Sequence, residues 1–266
     1  MKFFILTDLE GVSGTDSFSQ TRTKDAGERG RGPSMRQLAK EVNACAEGIR
    51  SVYPSATIDV LDGHGGGHGL FPEDLRECNY LNLKKGARPH HHLEGYAAML
   101  FVGQHAMAGT YNAPLCHTYS STEILYYRLN HVLIGEFGSR ALIAGVQSVP
   151  TIFLAGDDKA ALEAQLFIPE IETVITKYGK GLEQADHVDS VEVCERIFEG
   201  AARAVRRMKD IPPFTGFQPP YQFEAKYYFP LNEAFSEEWF AKKPHIQRVD
   251  ERTYRIDTDD LFQLPF

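Results

Sequence analysis

The sequence predicts an α/β fold: a mostly parallel central sheet flanked by helices, followed by a smaller C-terminal α+β unit. Three observations carry this expectation. Short apolar runs repeatedly end in glycine-rich turns, helix-periodic stretches separate those runs, and from about Ile211 the alternation yields to a segment dense in proline and aromatics. Alternating strand and helix patterns are the signature of parallel sheets. The expected division is an α/β domain over 1–210 and a smaller unit packed on it over 211–266.

The elements follow in order. KFFILTD reads as the first strand, and the helix SMRQLAKEVNACAEGIRSVYP places Leu38, Val42 and Ile49 on one face. TIDVLDGHGGGHG is a second strand running into glycines, and GYAAMLFVGQHAMAG a third with the same ending. ILYYRLNHVLIGEFG reads as two strands joined by a tight turn at Leu129–Asn130, leading into the helix SRALIAGVQ and setting Glu136 near a helix N-terminus. VPTIFLAGDD is a later strand and AALEAQLF the helix after it. In the tail, HIQRVDERTYRIDTDDLFQL reads as a β-hairpin with a short closing segment.

Bulk properties narrow the function. The 266 residues are 42% hydrophobic and 24% charged, enough for a packed core. A net charge of −8 argues against a general nucleic-acid binder. No apolar run approaches the roughly 18 residues of a membrane span, and MKFFILTDLEGV reads as a strand rather than a secretory signal. Cys45, Cys78, Cys116 and Cys194 are scattered without CxxC spacing, as expected of free thiols in a reducing, cytoplasmic compartment.

The chemistry is concentrated at the strand ends. Asp8 and Glu10 close the first strand, two residues apart and therefore on one face; His64 closes the second and His105 the third. In open α/β sheets the carboxyl ends of strands form the ligand crevice. Imidazole and carboxylate donors converging there suit zinc, with Mn²⁺ or Fe²⁺ as alternatives. The glycines after His64 also resemble a phosphate cradle, but GxxxxGK[ST] is absent.

The ordered set TDLEG, DGHG, VGQHA, the histidine of LCHTYSS, IGEFGSRA and FLAGDD resembles the D-aminopeptidase family of zinc peptidases over nearly the whole chain. The resemblance implies two zinc ions per subunit, with Asp8 bridging them, Glu10 and His64 completing one, and His105 and Glu136 completing the other. It places His117 as a catalytic histidine that is not a ligand. It further implies hydrolysis of N-terminal residues from short peptides or amino-acid amides by a metal-activated hydroxide, in a homo-oligomer that in the family is a decamer. Three carboxylates against two Zn²⁺ leave a net charge of +1, which one hydroxide neutralises. Two departures stand out: Leu6 replaces the family's serine two positions before Asp8, and RPHHHLEGYAAM replaces apolar residues.

Two rival functions keep other parts of the pattern: a dinuclear amidase or phosphoesterase acting on a small metabolite, and a metal-stabilised oligomeric binding protein without catalysis. The remaining candidates have plainer readings. His90, His91 and His92 are expected in an exposed loop, since three consecutive residues cannot face one ion, and His68 in a loop beside the site. Asp157 and Asp158 are expected to cap a helix. Arg29 and Arg31 are candidates for a substrate carboxylate or for a solvated loop. The Arg203–Lys209 stretch is a basic helix end, Trp239 a core or subunit-contact residue, and Lys177 a structural position near the site.

Overall fold

A computed structural model describes residues 1–22, 30–82, 87–243 and 245–266. Its larger sheet collects β1 (Lys2–Thr7), β2 (Thr57–Asp62), β3 (Asn79–Tyr80), β4 (Ala98–Gln104), β7 (Thr151–Asp157), β8 (Glu172–Gly181) and β9 (Gln184–His187) in the order β3-β2-β1-β4-β7-β8-β9. Every pairing is parallel except β8–β9. A second, antiparallel sheet runs β11-β12-β10-β5-β6, made from β5 (Ile124–Leu129), β6 (Val132–Leu133), β10 (Tyr221–Tyr227), β11 (Ile246–Arg248) and β12 (Thr253–Thr258). The α/β class with a mostly parallel sheet is thus as expected. The second sheet also takes in the hairpin β5–β6 from mid-chain, which pairs with β10.

Seven helices complete the described chain: α1 (Ser19–Arg22), α2 (Gly32–Val52), α3 (Glu136–Val146), α4 (Asp158–Phe167), α5 (Ser190–Arg206), α6 (Leu231–Ala234) and α7 (Glu237–Ala241). In α2, Pro33 sits in the first turn, where its missing N–H costs nothing, and Leu38, Val42, Cys45 and Ile49 form a fully buried stripe. Asp189 caps α5 by accepting from the N–H groups of Val191 and Glu192, and α5 packs along α2. All seven residues of β4 and all seven of β7 are buried, so the sheet is covered on both faces, as parallel sheets require.

Two details depart from the sequence reading. The hairpin turn sits one residue later, at Asn130 and His131, which both adopt positive φ (46° and 70°) as a two-residue turn with right-handed strand twist demands. His90 and His91 are half-buried rather than exposed. The C-terminal segment covers them, with the Phe266 carbonyl 3.4 Å from His90 Nε2 and the Phe262 ring against His91.

The strand order reverses on either side of β1, with β2 on one flank and β4 on the other. A switch point of this kind opens a crevice beyond the strand ends. Here the segments that follow β1 and end β4 touch: the N–H groups of Asp8 and Gly11 donate to the carbonyls of Val102 (2.9 Å) and Gly103 (2.7 Å). A Cβ on Gly11 would lie 2.0 Å from the Gln104 oxygen; one on Gly103, whose φ is 80°, would lie 2.0 Å from the Asp8 oxygen. Glycine at both positions is what lets the segments bearing Asp8 and His105 meet.

Candidate metal centre

Five elements deliver ionisable groups to one crevice. Asp8 and Glu10 follow β1, His64 follows β2, His105 follows β4, His117 lies in the loop before β5, and Glu136 is the first residue of α3. All but His105 line a cavity of about 780 Å³; His105 is 2% exposed, immediately behind it.

The donor atoms form two clusters: Asp8, Glu10 and His64 in one, His105, His117 and Glu136 in the other, with donors inside each no more than 4.8 Å apart. His64 Nδ1 is 3.2 Å from Asp8 Oδ1 and 3.0 Å from Glu10 Oε2. His105 Nε2 is 3.4 Å from Asp8 Oδ2 and 3.4 Å from Glu136 Oε1, while His117 Nε2 is 3.8 Å from Glu136 Oε1. The two oxygens of Asp8 therefore face different clusters.

Each imidazole is held from behind by a backbone carbonyl. His64 Nε2 donates to Thr21 (3.0 Å), His105 Nδ1 to Ala106 (2.8 Å) and His117 Nδ1 to Leu115 (2.8 Å). That fixes the tautomer and leaves the other nitrogen as a lone-pair donor turned to the carboxylates, the pattern of metal-binding histidines. His105 Nε2 has no hydrogen-bond partner among the described residues although it is buried. Donors bound at 2.0–2.1 Å to a tetrahedral zinc stand about 3.3 Å apart, which matches the 3.0–3.4 Å spacings around His64 and His105. The donor chemistry and spacing fit zinc.

Protonation follows the same geometry. Burial opposes charge on His64, but Glu10 and Asp8 outweigh it and push its pKa up to about 11. His105 is likewise raised, burial being overcome by the Asp8 and Glu136 carboxylates 3.4 Å from its Nε2. Burial alone would raise the carboxylates; hydrogen bonds from His105 and His64 hold Asp8 well below its ordinary range, and His105 and Arg140 hold Glu136 at about 2. His117 moves the other way, lowered by burial and by the neighbouring His105 charge. Its ring stacks on His105 with centroids 4.0 Å apart.

Surrounding groups hold the carriers of these side chains. The Tyr119 N–H donates to Glu136 Oε1 (2.8 Å), and Arg140, one helical turn on, sets Nη1 3.3 Å from Glu136 Oε2. Lys177 is wholly buried in β8; its ammonium donates to the carbonyls of Glu10, Val12 and Thr15, closing the loop after β1. Burial lowers its pKa to about 8, against the pull of Asp157, Glu41 and Glu10. Asp157 caps α4 through the N–H groups of Lys159 and Ala160, and its second oxygen accepts from Ala106 beside His105.

All six site residues expected from the sequence come together. His117, expected outside the ligand set, stands in the ligand-capable cluster with His105 and Glu136. Leu6 is buried in the core, 1% exposed, so the serine position of the family's motif holds an apolar side chain facing away from water. His68 is exposed at the cavity rim, and Arg31 lines the cavity; Arg29 lies outside the described residues. Arg140 was not singled out, although its place four residues after Glu136 in a helix is a signal that could have found it.

Comparison with known proteins bears on the family. The chain is similar to a D-aminopeptidase of Bacillus subtilis (strain 168), 28% identical over 224 residues, covering 81% of this chain and 77% of the relative. It is also similar to the solved structure of the Zn-dependent D-aminopeptidase DppA from Bacillus subtilis, described as a self-compartmentalizing protease. The TM-score is 0.84 at 25% identity, over 98% of this chain and 93% of that one. The D-aminopeptidase family model matches residues 1–265, and the chain belongs to that family.

Proposed function

We propose that this chain is a metal-dependent aminopeptidase that removes N-terminal residues from short peptides or amino-acid amides, using two zinc ions per subunit. The observation that carries the reading is the set of three imidazoles, each pinned by a backbone carbonyl and presenting its free nitrogen to buried carboxylates. In this assignment Asp8, Glu10 and His64 would hold one zinc, and Asp8, His105 and Glu136 would hold the other. Bound zinc supplies Lewis acidity and lowers the pKa of water.

The chain's own groups supply the rest. His117 Nδ1 is committed to the Leu115 carbonyl, so Nε2 is the atom that takes or gives a proton at the cavity wall. Burial lowers its pKa, which favours the neutral ring able to accept a proton. The Glu136 carboxylate, oriented by the Tyr119 N–H, stands 3.8 Å away. The likeness to a relative described as self-compartmentalizing supports a homo-oligomer, and the family resemblance makes a decamer the assembly proposed.

The test is metal analysis of purified Asp8→Ala and His105→Ala proteins alongside hydrolysis of D- and L-alanyl amides and peptides. Each variant is expected to lose bound zinc and activity together; undiminished hydrolysis in either overturns the assignment.

A further inference from the structure

The cavity wall holds a cation whose hydrogen-bonding capacity is left largely unused by its pairing with Glu136. Arg140 is 7% exposed, and its Nε and Nη1 are buried without a hydrogen-bond partner among the described residues. Its nearest carboxylate is Glu136, with an oxygen 3.3 Å from Nη1, and the Tyr119 ring lies 5.2 Å from the guanidinium carbon. Arg31, at the start of α2, lines the same cavity, and its Nε is also buried without a partner.

A desolvated guanidinium is costly unless its fork of N–H groups is met by acceptors. Glu136 is a poor sole partner, since in the assignment above it gives its charge to a metal. The complement to a guanidinium fork is a second carboxylate, bound through charge-assisted hydrogen bonds. Among the described residues no carboxylate other than Glu136 is paired with Arg140, and its Nε and Nη1 are donors that a ligand carboxylate can meet.

We propose that Arg140 and Arg31 form an anion subsite that takes a substrate carboxylate one residue beyond the scissile bond. The reach follows from Arg140's contact with Glu136: one residue of extended chain spans about 3.5 Å, so a guanidinium touching a proposed metal ligand meets the group just past the reacting carbonyl. The substrate class is therefore a short peptide with that carboxylate free, supplied by the C-terminus of a dipeptide or by an acidic second side chain. The inference rests on the aminopeptidase reading and deepens it.

The experiment measures kcat/KM of the zinc-loaded full chain on alanyl-alanine, alanyl-alaninamide and alanyl-aspartamide with an amidated C-terminus, in D and L series. The free C-terminus is expected to exceed its amide by about tenfold or more, the range of a charge-assisted hydrogen bond. Arg140→Gln and, on a separate element, Arg31→Gln should each bring that ratio toward one. Preference for the aspartyl amide instead supports the subsite with a side chain as the source. Equal rates on all three overturn it. So does a uniform loss across substrates in both variants, which would assign Arg140 to holding Glu136 alone. If the zinc-loaded protein cleaves no peptide, the aminopeptidase reading falls, and calorimetric titration with alanyl-alanine and its amide still decides. Tighter binding of the acid supports the subsite, and equal binding overturns it.

Discussion

In the proposed assignment, protons and zinc compete for the same nitrogens at His64 and His105. The folded-state pKa of His64 is raised from 6.5 to about 11, so the pairing of its cation with Asp8 and Glu10 stabilises the metal-free fold fully below pH 6.5. That contribution fades as pH rises toward 11. Zinc requires the neutral rings, so its affinity moves oppositely. The rise in Tm on adding zinc is expected to be small at pH 6 and to grow steadily to pH 9, measured by thermal melts of chelated and zinc-loaded protein. A flat difference across that range would contradict the assignment of His64. His117 gives a second residue-scale prediction. His117→Ala should retain two zinc ions per chain and lose about 10²- to 10⁴-fold in kcat, the usual contribution of a general acid–base group. Loss of one ion instead would make His117 a ligand.

The loop after β1 and the end of β4 behave as one part because their backbones touch. Gly103→Ala forces a side chain onto a positive φ and onto the Asp8 carbonyl. We expect a destabilisation of at least about 2 kcal/mol by denaturant unfolding, with weakened zinc binding. Lys177 acts on the same loop through three carbonyls. Lys177→Met should lower zinc content from two to one per chain, because Glu10 is released while His105 and Glu136 are not. Equal loss at both positions would show a general defect. These elements also mark what the sequence discloses. Asp8, Glu10, His64 and His105 were readable because each follows an apolar run that could only be a strand. Glu136 and His117 sit on a helix start and a loop, and only the ordered family motifs singled them out. The i,i+4 pairing of Arg140 with Glu136 is local and readable from a helix, whereas the three-carbonyl grip of Lys177 depends on register and packing across the chain, which no local pattern encodes.

Across the whole molecule, α3 stands between two cores. Phe137, Ala141 and Ala144 belong to the core of the parallel sheet, while Leu142 and Ile143 belong to that of the antiparallel sheet. The hairpin β5–β6 was legible from its alternation, but its pairing with β10, some ninety residues later, was not. Phe223 anchors that second core, its ring edge-on to Tyr127 at 4.8 Å and to Phe266 at 5.4 Å. Phe223→Ala should cost about 3–5 kcal/mol in denaturant unfolding. At the level of assembly, light scattering of the pure protein is expected to give about ten times the 29.8 kDa chain mass.

The two oxygens of Asp8 face separate clusters, and this makes the clusters coupled partners in one equilibrium rather than two independent ones. An ion entering either cluster fixes the carboxylate plane, sparing the second ion that ordering cost, yet it also withdraws part of the negative charge that would attract the second. Ordering favours cooperative filling and charge withdrawal favours stepwise filling. The shape of a zinc titration, sigmoidal or biphasic, therefore reports which of the two a single shared side chain transmits more strongly.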